Sequence, residues 1–228
     1  MEWTPVLISL RTACVAMVFT MVLGLAAAKW VVSMKSGWIK SLIDGIFTLP
    51  LVLPPTVAGF FLLYIFGVYR PVGKFLIEYL GVKVVFSWGA TVIAAVLISF
   101  PLMYRAALGA FEQVDPSLAD AARMQGIGEW KIFTRIMIPN ASSGIISGAV
   151  LAFARGLGEF GATAMIAGNI AGKTRTLPLA IYSEVAAGNM DKAGVYVLIL
   201  LVVSFVAVVL MNVFGRRKEI RKKLKEKD

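Results

Sequence analysis

The sequence predicts an all-α membrane protein, a polytopic helical bundle of five transmembrane helices in one domain over residues 1–228, with a short sixth span as the alternative. Three observations carry this. First, 59% of the residues are hydrophobic and 16% charged, with a mean hydropathy of +0.82; soluble domains run at about 45–50% apolar and about 25% charged. Second, five stretches reach the ~20 residues that an apolar helix needs to cross a bilayer core. Third, Lys and Arg collect in alternate connections between those stretches.

The first span is Pro5–Val32. Its apolar run is longer than the ~7–15-residue core of a signal peptide, and Met1-Glu2 supplies no basic start, so it reads as a retained span. Arg11, one to two turns inside, needs a polar partner or a route to the interface. Cys14 reads as a small packing residue. The second span, Gly45–Val68, contains Pro50, Pro54 and Pro55 followed by Thr56. Proline removes a donor and kinks a helix, leaving carbonyls that need partners or water. Physics alone leaves two readings equal here, a packed kink or the wall of a solute path.

Ser87–Ala110 is the third span, and Ile138–Ala167 is the fourth, interrupted by Arg155 and Glu159. These two charges are four residues apart and share a helix face. Charges inside a span pair, face the bundle interior or line a pathway; an internal ion pair that orients helices is weighed above direct substrate contact. Gly156, Gly158 and Gly161 around them allow close helix approach or bending, which marks a hinge. Gly194–Phe214 is the fifth span. Between spans four and five, residues 168–193 read as a loop and a helix too short to cross, hence a re-entrant or surface hairpin, with the sixth span as alternative. In that loop Lys173 and Arg175, with nearby Thr hydroxyls and backbone amides, are external-face candidates for attracting an oxyanion or docking a partner; ordinary surface solvation is the plainer reading.

Orientation follows from charge. The ends and connections after spans one and three, together with the tail 215–228, hold fifteen of the 23 Lys and Arg residues; the alternate connections, 69–86 and 168–193, hold six. The positive-inside rule then places the N-terminus outside and the C-terminus in the cytoplasm. The tail reads as a topological marker, with contact to anionic lipid, rather than a nucleic-acid site. With no His and one Cys, metal clusters of those residues, imidazole chemistry and intrachain disulfides are excluded.

One polar and amphipathic island, Asp120–Gly148, lies on the predicted cytoplasmic side, and the connecting loop spans about 112–138. Its order is Asp120, Ala121, Ala122, then Gly126, then Phe133, Ile136 and Pro139. This pattern resembles the EAA loop of ABC-importer permeases, with Asp120 in place of the family's usual Glu. The resemblance extends over nearly the whole chain: LPLVLPPTVAGFFLL (49–63), FSWGA (86–90), SFPLMYRA (99–106), LAFARGLGEFGAT (151–163) and GKTRTLPLAIY (172–182) are similar to the permease subunit of molybdate/tungstate ABC importers. Sulfate permeases are the near neighbour.

The resemblance implies a prokaryotic inner-membrane permease made of two copies of this chain, bound to two cytoplasmic ABC ATPases and served by an external oxyanion-binding protein. It makes Asp120, Ala121, Ala122, Gly126 and Glu129 the ATPase-coupling residues, with Glu129–Met137 as a second amphipathic segment. Pro54, Pro55, Thr56, Arg155, Glu159 and Gly161 are the pathway or gate candidates. The chain carries no G-x-x-x-x-G-K-[ST] phosphate cradle, so no catalytic residue and no cofactor is expected on it, and ATP with Mg belongs to the partner. A passive anion channel using Arg11 and Arg155 as a selectivity ring and a membrane-embedded enzyme are the rivals of other classes.

Overall fold

The computed structural model describes residues 2–225. The core is built on two long unbroken helices, α1 (Thr4–Val32) and α5 (Trp88–Glu112), which lie against each other because small and hydroxyl side chains line their contact. Thr12 meets Thr91 and Thr20 meets Ser99, each pair with its hydroxyl oxygens 3.0 Å apart. All four side chains are buried. Within a bilayer, hydroxyl pairs of this kind join helices that hydrophobicity alone would not, at roughly 0.6–2 kcal/mol each. Between them Gly24 allows close approach, since a Cβ there would lie 2.7 Å from Met103 Cγ. The Trp88 indole N–H donates to Thr12 Oγ1, and the Arg11 guanidinium lies 4.1 Å over the Trp88 ring. That stacking supplies the partner Arg11 needs.

A third helix, α9 (Ser142–Leu157), completes the core by packing against both α5 and α1. Gly144 and Gly148 face Ala110 and Ala106, where an added Cβ would come within 2.6 Å of each alanine Cβ. Met103, Tyr104, Ala107, Phe111 and Ala149 are buried along this seam.

Among the described residues, three helices are long and apolar enough to cross a membrane unbroken: α1, α5 and the Met190–Val209 part of α12 (Met190–Lys225). Much of α12 faces outward through Leu198, Leu201 and Phe205, as a lipid-facing helix should. The basic tail continues this helix as far as Lys225, and 226–228 lie outside the described residues.

The two other expected spans are corrected by the structure. The second is not one kinked helix over Gly45–Val68: it begins at Trp38 and divides into α2 (Trp38–Val52) and α3 (Pro55–Phe66), bent by 109°. Leu53 and Pro54 each precede a proline, which disfavours the helical region, and both are extended, with ψ of 140° and 133°. After α3, the short α4 (Pro71–Leu80) turns back through Gly73, which presses on the Gly67 carbonyl.

The fourth is not continuous over Ile138–Ala167 either. Beyond α6 (Pro116–Met124), the chain forms α7 (Glu129–Ile132), a π-turn over Phe133–Met137 and α8 (Ile138–Asn140), then bends by 76° into α9. Pro139 has no N–H for the Arg135 carbonyl, and the register slips by one residue just before it. A second interruption at residues 158–160 separates α9 from α10 (Gly161–Ala167). Counting each bent pair as one span gives up to five. Residues 168–193 hold α11 (Leu177–Ala186), whose ten residues extend about 15 Å, half of a bilayer core.

Candidate functional site

The expected coupling loop is set by its two ends. Asp115 caps α6, its side chain accepting from the Ser117 N–H at 2.9 Å, with Pro116 at the first helical position. That bond holds the Asp115 carboxyl below its usual range. The helix stops at Gly126, where φ is +74°. The Gly126 N–H bonds the Arg123 carbonyl and the Ile127 N–H bonds the Ala122 carbonyl, at 2.9 and 3.1 Å. This is a Schellman stop with glycine at its left-handed position.

Arg123 ties α6 to α7. It reaches Asp120 at 2.7 Å and Glu129 at 2.6 and 3.2 Å, and its hydrogen bond is the chief reason the Glu129 carboxyl is held low. All three groups are half-exposed or more, so the pairs fix geometry more than they stabilise. At the α7 end of the loop, the Lys29 ammonium lies 4.4 Å over Phe133 and 4.9 Å over Trp130, joining α1 to this segment.

Of the five expected coupling residues, Ala122 is buried against the bundle, while Asp120, Ala121, Gly126 and Glu129 are exposed. The outward face of α6 also presents Leu118 and Met124, 44% and 89% exposed. Neither stands out in the sequence, because isolated apolar residues in a short helix read as core. With Ala121 they form an open apolar i, i+3, i+6 strip on an otherwise polar surface helix.

The pathway candidates, more than a hundred residues apart in the chain, come together at the two helix breaks. Gly161 lies against Pro55 and Thr56: a Cβ there would fall 3.0 Å from Pro55 Cβ and 3.1 Å from the Thr56 nitrogen. One turn further, Gly59 meets α10 so closely that a Cβ would sit 2.6 Å from Ala162 Cα. Arg155 and Glu159 pair, with Nη1 2.8 Å from Oε2; the Arg155 side chain is 31% exposed and that of Glu159 1%. The contact is one of charge, since Oε2 receives no well-directed hydrogen bond. The other oxygen, Oε1, accepts from the Ala162 N–H at 2.8 Å, so Glu159 also holds the first turn of α10. The last turn of α10 is held by the Phe86 N–H, which donates to the Ile166 carbonyl. Pro54 and Thr56 remain exposed beside this junction.

The loop expected to be external is more committed to itself than its sequence suggests. The N–H groups of Lys173, Thr174 and Arg175 all turn onto the Ile170 carbonyl, at 2.9–3.1 Å, so these amides are not free to receive an anion. Thr174 is buried and accepts from the Ile170 N–H. Arg175 spends its Nε–H on Asn169, which in turn donates to Ser183. Lys173 stays exposed.

A further cluster is not legible in the sequence. Asp44 on α2 accepts from the Tyr104 hydroxyl at 2.9 Å and from Arg105 Nη1 through both oxygens, at 3.0 and 2.9 Å. Asp44 sits at the edge of an apolar stretch, and its partners are some sixty residues away.

This architecture recurs in solved transporters. The fold matches a chain of the inward-facing MetNI methionine ABC transporter with a TM-score of 0.72 at 16% identity, covering 94% of both chains. It matches a chain of a bacterial ABC transporter that imports the acidic polysaccharide alginate with a TM-score of 0.77 at 16% identity, covering 94% of this chain and 78% of that one. In sequence, the chain is 45% identical over 182 residues to the molybdenum transport system permease protein of Escherichia coli (strain K12), covering 80% and 79% of the two. It is 37% identical over 220 residues to that of Haemophilus influenzae, covering 96% of each. Residues 20–220 match the family described as "Binding-protein-dependent transport system inner membrane component". The chain belongs to that family of multi-pass ABC-importer permeases.

Proposed function

We propose that two copies of this chain form the membrane path of an ATP-driven importer for a tetrahedral oxyanion, molybdate or tungstate. The observation that carries the cargo is the set of relatives 37–45% identical over most of the chain and named as molybdenum permeases. The energy comes from separate cytoplasmic ATPases docked on the Leu118–Ala121–Met124 face of α6, and an external binding protein delivers the ion. The N-terminus is outside and the C-terminus in the cytoplasm, in keeping with the basic residues near α6 and α12.

In mechanical terms, α6 is a rigid peg with a capped start and a glycine stop. Arg123 and Lys29 carry its movement into α7 and α1. The paired breaks, α2/α3 and α9/α10, are where the spans can change direction without unfolding, and they form the gate. Alternating access requires each ligand to favour one of two states; nucleotide acts through α6 and cargo through the breaks. Selectivity among dianions rests with the binding protein, because a tight site in the path would slow release.

The test is uptake into proteoliposomes that hold the full complex and the binding protein. Labelled molybdate or tungstate should accumulate only with ATP on the ATPase side. Transport of sulfate alone would reassign the cargo, and ATP-independent flux would make the chain a channel.

A further inference from the structure

We propose that Asp44, Tyr104 and Arg105 form a latch that makes α2 move with α5, and so carries movement of α6 to the α2/α3 break. This deepens the coupling reading above and rests on it. Three residues, Gln113–Asp115, separate the end of α5 from α6, so displacement of α6 reaches α5 directly.

α2 has no buried residue. It rests on the core through a single stripe, Lys40, Ile43, Asp44 and Phe47, at the i, i+3, i+4, i+7 spacing of one helix face. Ile43 and Phe47 pack on the core cluster, with the Phe47 ring 5.2 Å from Tyr104 and 5.6 Å from Phe100. Lys40 adds a longer contact to Glu112, at 3.5 Å. Asp44 supplies the directed bonds.

Tyr104 is fully buried, and its hydroxyl donates to Asp44. Lifting α2 from α5 would strand that hydroxyl and separate a carboxylate from a guanidinium. A buried hydroxyl left without a partner is itself costly. The two helices therefore move as one body, and the displacement is taken up at Leu53–Pro54, next to the contact of α3 with α10 at Gly59 and Ala162.

The experiment measures both ATP hydrolysed and labelled oxyanion taken up by the reconstituted complex with its binding protein. Asp44→Ala should assemble with the ATPase and hydrolyse ATP, while uptake per ATP falls roughly tenfold, within the usual range of coupling between sites. The exchange Asp44→Arg with Arg105→Asp should recover part of that ratio. A merely structural role would lower hydrolysis and uptake together and leave the ratio unchanged. Should Asp44→Ala fail to assemble, Arg105→Lys keeps the charge, changes the reach of the single nitrogen that meets both Asp44 oxygens and should show a smaller fall. An unchanged ratio in an assembled variant overturns the latch while leaving the proposed function standing. Failure of the unaltered chain to assemble with an ATPase would overturn the function itself.

Discussion

The α2/α3 break and the α9/α10 break touch each other, yet different chemistry makes them. At α2/α3 the cause is covalent. Leu53 and Pro54 both precede a proline and both are extended, so the bend needs no side chain from elsewhere. At α9/α10 there is no proline. Gly156, Gly158 and Gly161 loosen the chain, and the first turn of the new helix is held by Glu159, which accepts from Ala162 and faces Arg155. The difference separates two mechanical roles. A proline break is permanent and can only swing as a joint, whereas a break held by a carboxylate can be released and remade. In the proposed gate the releasable half is therefore α9/α10, and α2/α3 is the joint against which it closes.

The sharpest way to break this contrast is to disturb the clasp. Arg155→Ala leaves the Glu159 carboxylate buried beside one amide. Removing one member of a buried pair costs about 3–5 kcal/mol, and the partial exposure of Arg155 places the effect toward the lower figure. The double change with Glu159→Ala should cost less than the sum of the single changes, a coupling of about 0.5–3 kcal/mol in thermal unfolding of the purified complex. Additive costs would show that the two charges act independently.

Next in size is the contact between the breaks. Gly59→Ala drives a methyl into the α10 backbone at Ala162 and should cost about 1–3 kcal/mol, the range for overpacking. Uptake should fall further than stability, because the helices are pushed apart at the proposed gate. Equal stability and normal uptake would mean that α3 and α10 need not touch.

The joint itself should respond less. Pro54→Ala alone leaves Pro55 in place, and the alanine introduced still precedes a proline, so the bend should persist with a change below about 1 kcal/mol. Only with Pro55→Ala as well can helix run through residues 53–55, and then transport should be lost while the protein still inserts. A spin-label distance between α2 and α3 distinguishes the two outcomes.

The most local effect is expected away from both breaks. Gly126→Ala meets open space but must hold φ near +74°, a conformation that costs an L-residue about 1–2 kcal/mol. Fraying of the α6 stop should reduce uptake per ATP with no effect on membrane insertion.

The sequence made some of this legible and concealed the rest for physical reasons. The helix around Asp120 and its glycine stop could be read because both are local: a polar run inside an apolar chain, and a residue type that suits a left-handed turn. The meeting of Pro55 with Gly161 could be named only as two separate candidate regions, since nothing local reports a contact over a hundred residues. A break was underestimated as a kink because each proline was weighed as a lost donor, while the extended residues before Pro54 and Pro55 decided the angle. Asp44 escaped notice at the rim of an apolar stretch. Leu118 and Met124 did so because their value lies in being exposed, and exposure is a property of the fold. In the loop expected to be external, the amides of residues 173–175 are promising by composition and are consumed by one carbonyl, that of Ile170.

Whether the two breaks are the gate is tested most directly by labelling beside each of them. With Cys14 replaced by serine, Thr56→Cys and Gly158→Cys introduce single thiols at exposed positions next to the α2/α3 and α9/α10 breaks. A membrane-impermeant thiol reagent is then applied to the complex with its ATPase, with and without ATP and vanadate. Labelling of both positions should change together when nucleotide is trapped, rising from one side of the membrane as it falls from the other. Labelling that stays constant at both sites in every nucleotide state would contradict a gate at the junction.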